Sequence, residues 1–278
     1  MIEDWAPSRD QLTACRLFAL APGGDPDQLL EQACTFESEV SVVLDPGSFR
    51  ASALASLQGV TLGVIPEPPS SEAAQSSCAA LDRILAFDPA LSGTAIGDAQ
   101  VWRAIPPPVS DILFAEARSI ERAPRAMSIG PSTAHREAML MPAKHEHDLL
   151  EIVHGVNGAQ LAALLAEYDV GVYVAEAWGG AFGWPAAAHL AAAHLLISES
   201  LRPAHGLEEN IDYLRVEAPE DLLAILSSLR DFPEAHRRMR IRGRMKAEQF
   251  RASRTFRRIV HDLLLDVAAF GRKTPGCT

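Results

Sequence analysis

The 278-residue sequence lacks the residue patterns that mark several common classes of protein. It contains no Cys-x-x-Cys pair, so a zinc-finger pattern and a dense disulfide framework are excluded; its four cysteines are far apart, at Cys15, Cys34, Cys78 and Cys277. No apolar run approaches the roughly 20 residues that a membrane-spanning helix needs. A Gly-x-Ser-x-Gly elbow and a Walker loop are also missing, which excludes two familiar catalytic signatures.

Basic residues are outnumbered, and lysine is scarce. The net charge is -11 and the pI is about 5.3, which argues against nucleic acid as a partner. Residues 1–108 contain 14 acidic and 5 basic residues, whereas residues 109–278 contain 22 and 20. This unequal balance predicts two units with different surfaces. We attribute the excess of arginine over lysine to coding bias in an Ala- and Arg-rich genome, which favours a bacterial source.

The first residues do not resemble a secretory signal. Met1 to Asp4 form an acidic start, whereas the beginning of a signal peptide is basic. We therefore expect a cytoplasmic protein with reduced cysteines. His145 and His147 lack the spacing and the cysteine partners of a zinc site, so we expect no metal.

Short apolar runs alternate with helix-like stretches in the first half, which is typical of βαβ units around a parallel sheet. The predicted strands are Cys15–Leu20, Val40–Leu44, Val60–Ile65, Arg83–Phe87 and Val101–Ile105. The predicted helices between them are Asp27–Thr35, Arg50–Leu57 and Glu72–Leu81. Three consecutive prolines, 106–108, then interrupt both periodicities and predict a linker.

The same alternation resumes after the prolines and predicts a second Rossmann-like lobe. Its strands are Ala126–Ile129, Leu149–Val153, Val170–Val174 and His194–Ser198, and its helices are Ser132–Leu140, Gly158–Glu167 and Trp184–Ala193. Three further helices are predicted at Pro219–Leu229, Pro233–Phe250 and Thr255–Phe270. The fold class is therefore α/β, with domains at 1–108 and 109–278 and a helical C-terminal tail.

The stretch Leu165-Ala-Glu-Tyr-Asp-Val-Gly-Val-Tyr-Val174, with Phe182-Gly-Trp-Pro185 and Leu195-Leu-Ile-Ser198 after it, resembles the C-terminal lobe of GT-B glycosyltransferases. Among these enzymes the arrangement is most similar to group 1, which includes spore-maturation-like members. The resemblance covers about residues 125–265. It implies a metal-independent hexosyltransferase that uses a nucleotide sugar (UDP, GDP or TDP) as co-substrate, without a tightly bound cofactor.

Two carboxylates of the family pattern are absent. The glutamate that contacts the donor sugar falls on Gly180, and the one that holds the ribose falls on Ala188. Candidate replacements nearby in the sequence are Glu176, His189, Glu199, Glu208 and Glu209. We assign Glu176 a catalytic role and Glu199 a role in donor binding.

The loop after the first strand of the second lobe is a candidate diphosphate site. Gly130, Ser132 and Thr133 offer backbone and hydroxyl donors, and Arg136 offers a guanidinium that can bind phosphate in a bidentate manner. The resemblance implies the same role, because the family commonly holds the diphosphate with a basic residue here. The alternative is that a hydroxyl caps the helix and Arg136 is a solvated side chain.

Two glycine-rich segments are further candidates. Trp178 to Pro185 contains three glycines and three aromatic residues, which suits a stacking surface for a base or sugar and assigns Phe182, Gly183 and Trp184 to the donor. A tight turn with buried aromatic residues is the alternative. His189 is assigned to a sugar or ribose hydroxyl, although a structural histidine is the more common outcome.

In the first half, Gly23 and Gly24 follow a predicted strand and are assigned to the acceptor, with an ordinary βα turn as the alternative. Asp25, or Asp88, is the candidate general base if the reaction inverts the anomeric centre.

Ten basic residues lie between Arg237 and Arg258. The apolar positions Met239, Ile241, Met245 and Phe250 predict a helix docked on one side, so we interpret the basic run as a solvated helix face.

The functional hypothesis is a glycosyltransferase that moves a sugar from a nucleotide sugar to an unidentified acceptor. The alternative is a noncatalytic, GT-B-derived protein that binds a nucleotide sugar or a partner protein, which the two missing glutamates favour. A GT-B epimerase would need more carboxylates than the sequence offers.

Overall fold

The computed structural model describes residues 16, 18–20, 23–146, 148–177 and 182–272, which form two compact units. We call residues 107–255 the second lobe. The first lobe comprises the described residues before 107 together with residues 256–272. The chain therefore passes from the first lobe to the second inside the proline run and returns before Phe256. The sequence analysis assigned everything after residue 108 to the second domain, and the end of the chain differs from that assignment.

The first lobe is built on a five-stranded sheet with the order β1-β2-β3-β5-β4. Its strands are β1 Val40–Leu44, β2 Val60–Ile65, β3 Arg83–Ala86, β4 Ala95–Ile96 and β5 Ala99–Ala104. All neighbouring strands are parallel except β4 and β5. Helix α1, Pro26–Cys34, precedes β1, and α2 Ala51–Leu54 and α3 Glu72–Ala79 lie between strands. The strand predicted over Cys15–Leu20 lies partly outside the described residues, and its described residues 16 and 18–20 are not in a strand.

The second lobe contains a five-stranded parallel sheet with the order β10-β9-β8-β6-β7. Its strands are β6 Ala126–Ile129, β7 Leu150–Val153, β8 Val170–Tyr173, β9 Leu195–Ser198 and β10 Leu214–Arg215. Its helices are α4 Ala134–Met141, α5 Gly158–Leu165, α6 Trp184–Ala191, α7 Pro219–Asp231 and α8 Arg237–Lys246. A 3-10 turn over Ala247–Phe250 replaces the end of the predicted helix Pro233–Phe250.

Helix α9, Ala252–Phe270, begins in the second lobe and continues into the first. Its acidic residues form ion pairs with the first-lobe strands: Asp266 accepts a 2.6 Å hydrogen bond from Arg83, and Asp262 pairs with Arg103. These ion pairs explain why the helix belongs to the first lobe from Phe256 on. Local periodicity could not reveal them, because the paired residues are more than 150 positions apart.

Apolar side chains fill both faces of the second-lobe sheet, as expected for parallel strands covered by helices. One core contains buried residues of α5 and α6, and the other contains buried residues of α4 and α7. The first lobe has its own core, centred on β2, β3 and β5. The predicted α/β class with two parallel-sheet lobes and a C-terminal helix is confirmed. No helix in the described part of the chain has the length and apolarity needed to cross a membrane.

Gly171 is the point of closest approach between β8 and α6. A Cβ atom at Gly171 would lie 2.2 Å from Cγ of His189, which is fully buried on α6. We expect Gly171→Ala to lower the free energy of unfolding by about 1–3 kcal/mol, because the ring has no space to move. Urea denaturation measures this loss. Gly171 does not have a positive φ, so backbone strain adds nothing to this loss. A Gly171→Ala protein as stable as the wild type would contradict the packing argument.

Candidate functional site

The loop between β6 and α4 forms one side of a polar cluster in the second lobe. Thr133 caps α4: its Oγ1 accepts a hydrogen bond from the backbone N of Arg136 at 3.2 Å. The same hydroxyl donates to the carbonyl oxygen of Glu176 at 2.9 Å. Ser132 donates to the carboxylate of Glu137, one turn into the helix. The hydroxyls thus order the loop and connect it to the segment that follows β8.

Arg136 holds the same loop from inside. Its Nε donates to the carbonyl oxygen of Val174 at 2.9 Å, and its Nη1 donates to that of Pro131 at 3.0 Å. Arg136 is only 6% exposed. Gly130, with a φ of 143°, leaves room for the guanidinium, because a Cβ there would lie 2.4 Å from Nη1. The alternative is right that a hydroxyl, that of Thr133, caps the helix, but wrong that Arg136 is a solvated side chain, because its guanidinium holds the loop from a buried position. The diphosphate role of Arg136 stays a prediction.

Glu199 joins the third loop of the cluster to the other two. It follows β9, and its Oε1 lies 2.9 Å from Nε2 of His135, on the first turn of α4. Its Oε2 accepts a hydrogen bond from the backbone N of Ala175 at 3.2 Å. The side chains of His135 and Glu199 are 17% and 14% exposed. The carboxylate of Glu199 therefore connects the segments that follow β6, β8 and β9.

A small cavity of about 10 Å³ lies beside Glu199, and its lining includes Tyr173 and Ser198. This volume matches one water-sized group. The Ser198 hydroxyl is fully buried and has no hydrogen-bond partner among the described residues. Burial raises the pKa of Tyr173 to about 12, so its phenol is neutral at physiological pH. The cluster therefore combines backbone donors, hydroxyls, a guanidinium and a carboxylate where open α/β sheets bind ligands.

Comparisons with known proteins find matches only at the level of structure. No protein-family model matches the chain, and no curated protein matches it. HepE from Anabaena, solved with UDP and glucose, aligns over 90% of this chain and 86% of its own, with a TM-score of 0.60 and 11% identity. Sucrose-phosphate synthase from Thermosynechococcus elongatus aligns over 86% and 77%, with a TM-score of 0.58 and 11% identity.

A third match is TarM from S. aureus, with a TM-score of 0.55 and 11% identity over 85% of this chain. All three are GT-B glycosyltransferases. The fold is that of the GT-B glycosyltransferases. The chain spans only 57% of the length of TarM.

Six of the predicted site residues lie in the polar cluster of this GT-B lobe. They are Gly130, Ser132, Thr133, Arg136, Glu176 and Glu199. The sequence analysis missed His135, Tyr173 and Ser198 as members of the cluster. A signal was present, because Tyr173 and Ser198 are the last residues of β8 and β9, and a parallel sheet brings such ends together.

His189 does not fit the ligand role predicted for it. The residue is 0% exposed and packs over Gly171 in the interior of β8. Its Nδ1 lies 3.0 Å from Nδ1 of His194, whose Nε2 is 2.9 Å from the carbonyl oxygen of Leu165. Burial and the neighbouring ring hold the pKa of His189 well below its usual value. The structural alternative for this histidine is therefore correct.

The glycine-rich segment before α6 lies only partly in the described residues, since Trp178 to Ala181, including Gly180, fall outside them. Phe182 is 7% exposed and stacks on Phe250, with 5.5 Å between ring centroids, so it serves the core and offers no open stacking surface. Gly183 permits the approach of Tyr173, whose Oη would lie 2.4 Å from a Cβ. Ala188, at the other family glutamate position, is fully buried.

The remaining candidates at α6 and in the loops after β9 are Trp184, Glu208 and Glu209. Nε1 of Trp184 is buried with no partner among the described residues. Glu209 accepts hydrogen bonds from Ser200 at 2.7 Å and Arg215 at 2.8 Å, which keep its pKa low. Glu208 faces Arg242 at 3.5 Å instead of the cluster. These two glutamates are therefore engaged in local structure.

The first-lobe candidates form helix starts. Gly23 has a φ of 76°, which favours glycine, and it is exposed together with Gly24. Oδ1 of Asp25 accepts the backbone N–H of Asp27 at 3.0 Å and caps α1. Asp88 caps a 3-10 turn in the same way, through Ala90 at 2.8 Å. Among the described residues no group of three or more His, Cys, Asp or Glu side chains could hold a metal ion; His147 lies outside them.

Proposed function

We propose that this chain is a glycosyltransferase that takes a sugar from a nucleoside diphosphate sugar. The observation that carries the proposal is the polar cluster at the carboxyl ends of β6, β8 and β9, in a lobe with the GT-B fold. The structures of Anabaena HepE with UDP-glucose and with UDP and glucose support the choice of donor class.

In the proposed reaction the acceptor oxygen bonds to the anomeric carbon while the bond from that carbon to the diphosphate breaks. The diphosphate leaves with its negative charge against the Gly130 loop and the N-terminus of α4, where backbone N–H groups and the helix dipole stabilise an anion. Nη2 of Arg136, which has no hydrogen-bond partner among the described residues, adds a charged donor. Glu176 is exposed and provides a carboxylate near the reacting sugar. If the reaction inverts the anomeric centre, Asp25 is the proposed base that takes the proton of the acceptor hydroxyl.

The alternative function is noncatalytic binding of a nucleotide sugar or a partner protein. The burial of Ala188 favours it, because no carboxylate can act from that position. Both functions predict that the donor binds, but only the enzyme turns the donor over. The test must therefore measure binding and turnover separately.

We expect nucleoside diphosphates and nucleotide sugars with one preferred base to raise the midpoint of thermal unfolding. At a ligand concentration 100-fold above Kd the stabilisation is about 2.7 kcal/mol, because the ligand binds only the folded state. A panel of UDP, GDP and TDP with their hexose derivatives measures this without knowledge of the acceptor. No shift with any member at millimolar concentration would contradict the donor-site proposal.

Glu176→Gln separates the two functions. For the enzyme, we expect this variant to keep the thermal shift and to reduce the slow hydrolysis of the preferred nucleotide sugar at least about 10²-fold. Glu121→Gln is the matched control, because Glu121 is also exposed and lies outside the cluster. A shift without hydrolysis in the wild-type protein would favour the binding function.

A further inference from the structure

Helix α8 has a composition unlike the rest of this acidic chain. Its ten residues, Arg237–Lys246, include six cationic residues and no acidic one, whereas the whole chain carries a net charge of -11. We predicted that Met239, Ile241, Met245 and Phe250 face the core. Met239 and Phe250 do pack against it, whereas Ile241 and Met245 are exposed.

The buried side of α8 consists of Arg240 and Gly243, followed by Ala247 in the next turn. A Cβ at Gly243 would lie 2.8 Å from Cδ2 of Leu190 and 2.8 Å from the carbonyl oxygen of Asp212, so the helix packs closely through this side. Ile241 and Met245 therefore point outward, with exposures of 38% and 69%.

The outward residues form a mixed cationic and apolar surface. Arg238, Ile241, Arg242 and Met245 are spaced three, four and seven positions apart, which places them on one face of a helix. Another exposed apolar residue adjoins this face: Ile211 lies in the loop whose Asp212 binds Arg242 at 2.8 Å. Three of the five exposed large apolar residues in the described second lobe thus belong to this surface. We call it the α8 face.

The cations of the α8 face differ in how far they are neutralised. Arg242 pairs with buried Asp212 at 2.8 Å and lies 3.5 Å from Glu208. Arg238 is exposed and forms no ion pair within the described part of the chain. Arginine side chains can reach past their ion pairs to a phosphate plane while their stems cover apolar surface.

We propose that the α8 face binds an anionic phospholipid surface. Phosphate groups of the lipids are complementary to its arginines, and exposed Ile211, Ile241 and Met245 can enter the boundary between headgroups and acyl chains. Nucleic acid would use the arginines but gain nothing from three exposed apolar side chains, so lipid fits this surface better. The proposal is independent of donor binding in the polar cluster.

Flotation with lipid vesicles tests the proposal. We expect the full chain to bind vesicles of phosphatidylcholine mixed with phosphatidylglycerol, to bind pure phosphatidylcholine vesicles far less, and to dissociate at high salt. Arg238→Glu should weaken binding at least about fivefold, since each cation near such a surface contributes about that factor. Met245→Ser should weaken it about tenfold by removing apolar burial.

Two matched controls on the first lobe make the same chemical changes elsewhere. Arg50→Glu reverses an exposed arginine, and Leu265→Ser removes an exposed apolar side chain; both should bind vesicles like the wild type. Thermal unfolding confirms that each variant is folded. The proposal is overturned if the wild type does not bind anionic vesicles, or if the α8 variants bind them as well as the controls do. RNA binding that Arg238→Glu abolishes and Met245→Ser leaves intact, without vesicle binding, would assign the face to nucleic acid.

Discussion

Replacing Arg136 by alanine is expected to lower the free energy of unfolding by about 2–4 kcal/mol, and also to remove the stabilisation by nucleoside diphosphates. The loss of stability follows from the carbonyl oxygens of Pro131 and Val174, which would lose the donors that they have in the structure. The loss of the ligand effect follows because the Gly130 loop would no longer be held where its N–H groups meet a diphosphate. Urea denaturation and thermal unfolding, with and without the preferred diphosphate, measure the two effects.

Two variants separate the structural role of Arg136, which holds the Gly130 loop, from the role of its positive charge. Arg136→Lys keeps the positive charge but offers one compact ammonium in place of a planar fork, so we expect a partial loss of both stability and ligand effect. Ser132→Ala, on the same loop, removes a hydroxyl that bonds only to exposed Glu137 and should change stability by no more than about 0.5 kcal/mol. An Arg136→Ala protein with wild-type stability would contradict the claim that Arg136 stabilises the Gly130 loop. A destabilised one that still responds fully to the diphosphate would contradict its place in the donor site.

The strands were predictable because their apolar runs are short and bounded by turn residues. β1, β2 and β6 begin and end at the residues predicted for them, and the bounds of β7, β8 and β9 differ by one residue. Two-residue strands β4 and β10 were missed, since a pair of residues carries no periodicity. Boundaries of α8 were also missed, because Pro233 marks a turn four residues before the helix and not its first turn.

The orientation of α8 shows a limit of composition-based reasoning. Of the four apolar positions predicted to face the core, Met239 and Phe250 do so, but Ile241 and Met245 are exposed, and the fully buried residues of the helix and the turn after it include an arginine, a glycine and an alanine. Close packing against Leu190 requires small residues, and Arg240 is buried because the backbone carbonyl of Arg118 accepts its hydrogen bond. Both causes are tertiary contacts with residues distant in the chain, so the sequence of the helix alone could not reveal them.

The candidate site was predictable to the extent that it consists of strand ends. The Gly130 loop and Glu199 directly follow strands, and their positions in one cluster follow from the parallel sheet. The brace formed by Arg136 and the burial of His189 did not follow, because both depend on which side of a helix faces the sheet. His189 lies over Gly171, and that glycine is part of an apolar strand that gave no sign of a histidine partner.

Acid is expected to destabilise this protein through the pair of buried histidines, beginning well above the range in which carboxylates titrate. Burial lowers the pKa of His194 to about 4, with Arg118 and Arg240 adding to the effect and Asp169 and the bond to Leu165 opposing it. His189, which faces His194, also has its pKa held well below 6.5, by burial and by the neighbouring ring. The folded state therefore binds fewer protons than the unfolded state, so stability is complete above pH ~6.5 and falls as the pH falls towards ~4. The contribution of His194 alone is on the order of 3 kcal/mol.

The hydrogen bonds explain why neither ring accepts a proton easily. Because the carbonyl of Leu165 can only accept, Nε2 of His194 must carry its hydrogen, and Nδ1 of the neutral ring then accepts from Nδ1 of His189. Nε2 of His189 is left as a buried acceptor with no partner in the described part of the chain. A proton on His194 would break the bond between the rings, and a proton on His189 would be buried without an acceptor.

Between pH ~6.5 and ~5 the free energy of unfolding reports on histidines, because Glu248, whose ion pairs lower its pKa to about 2, loses its contribution only at lower pH. Burial also lowers the pKa of His236, so the difference between the wild type and a His194 variant isolates the contribution of the pair. His194→Gln retains a hydrogen-bond donor for the carbonyl oxygen of Leu165. It should reduce the slope of the free energy of unfolding against pH in this range, even if the variant is less stable at every pH. His261→Gln, at an exposed position of α9, should leave the slope unchanged. In NMR titrations of the wild type, two histidine rings should show no protonation above pH ~5; rings that all titrate near pH 6.5 would contradict the burial of the pair.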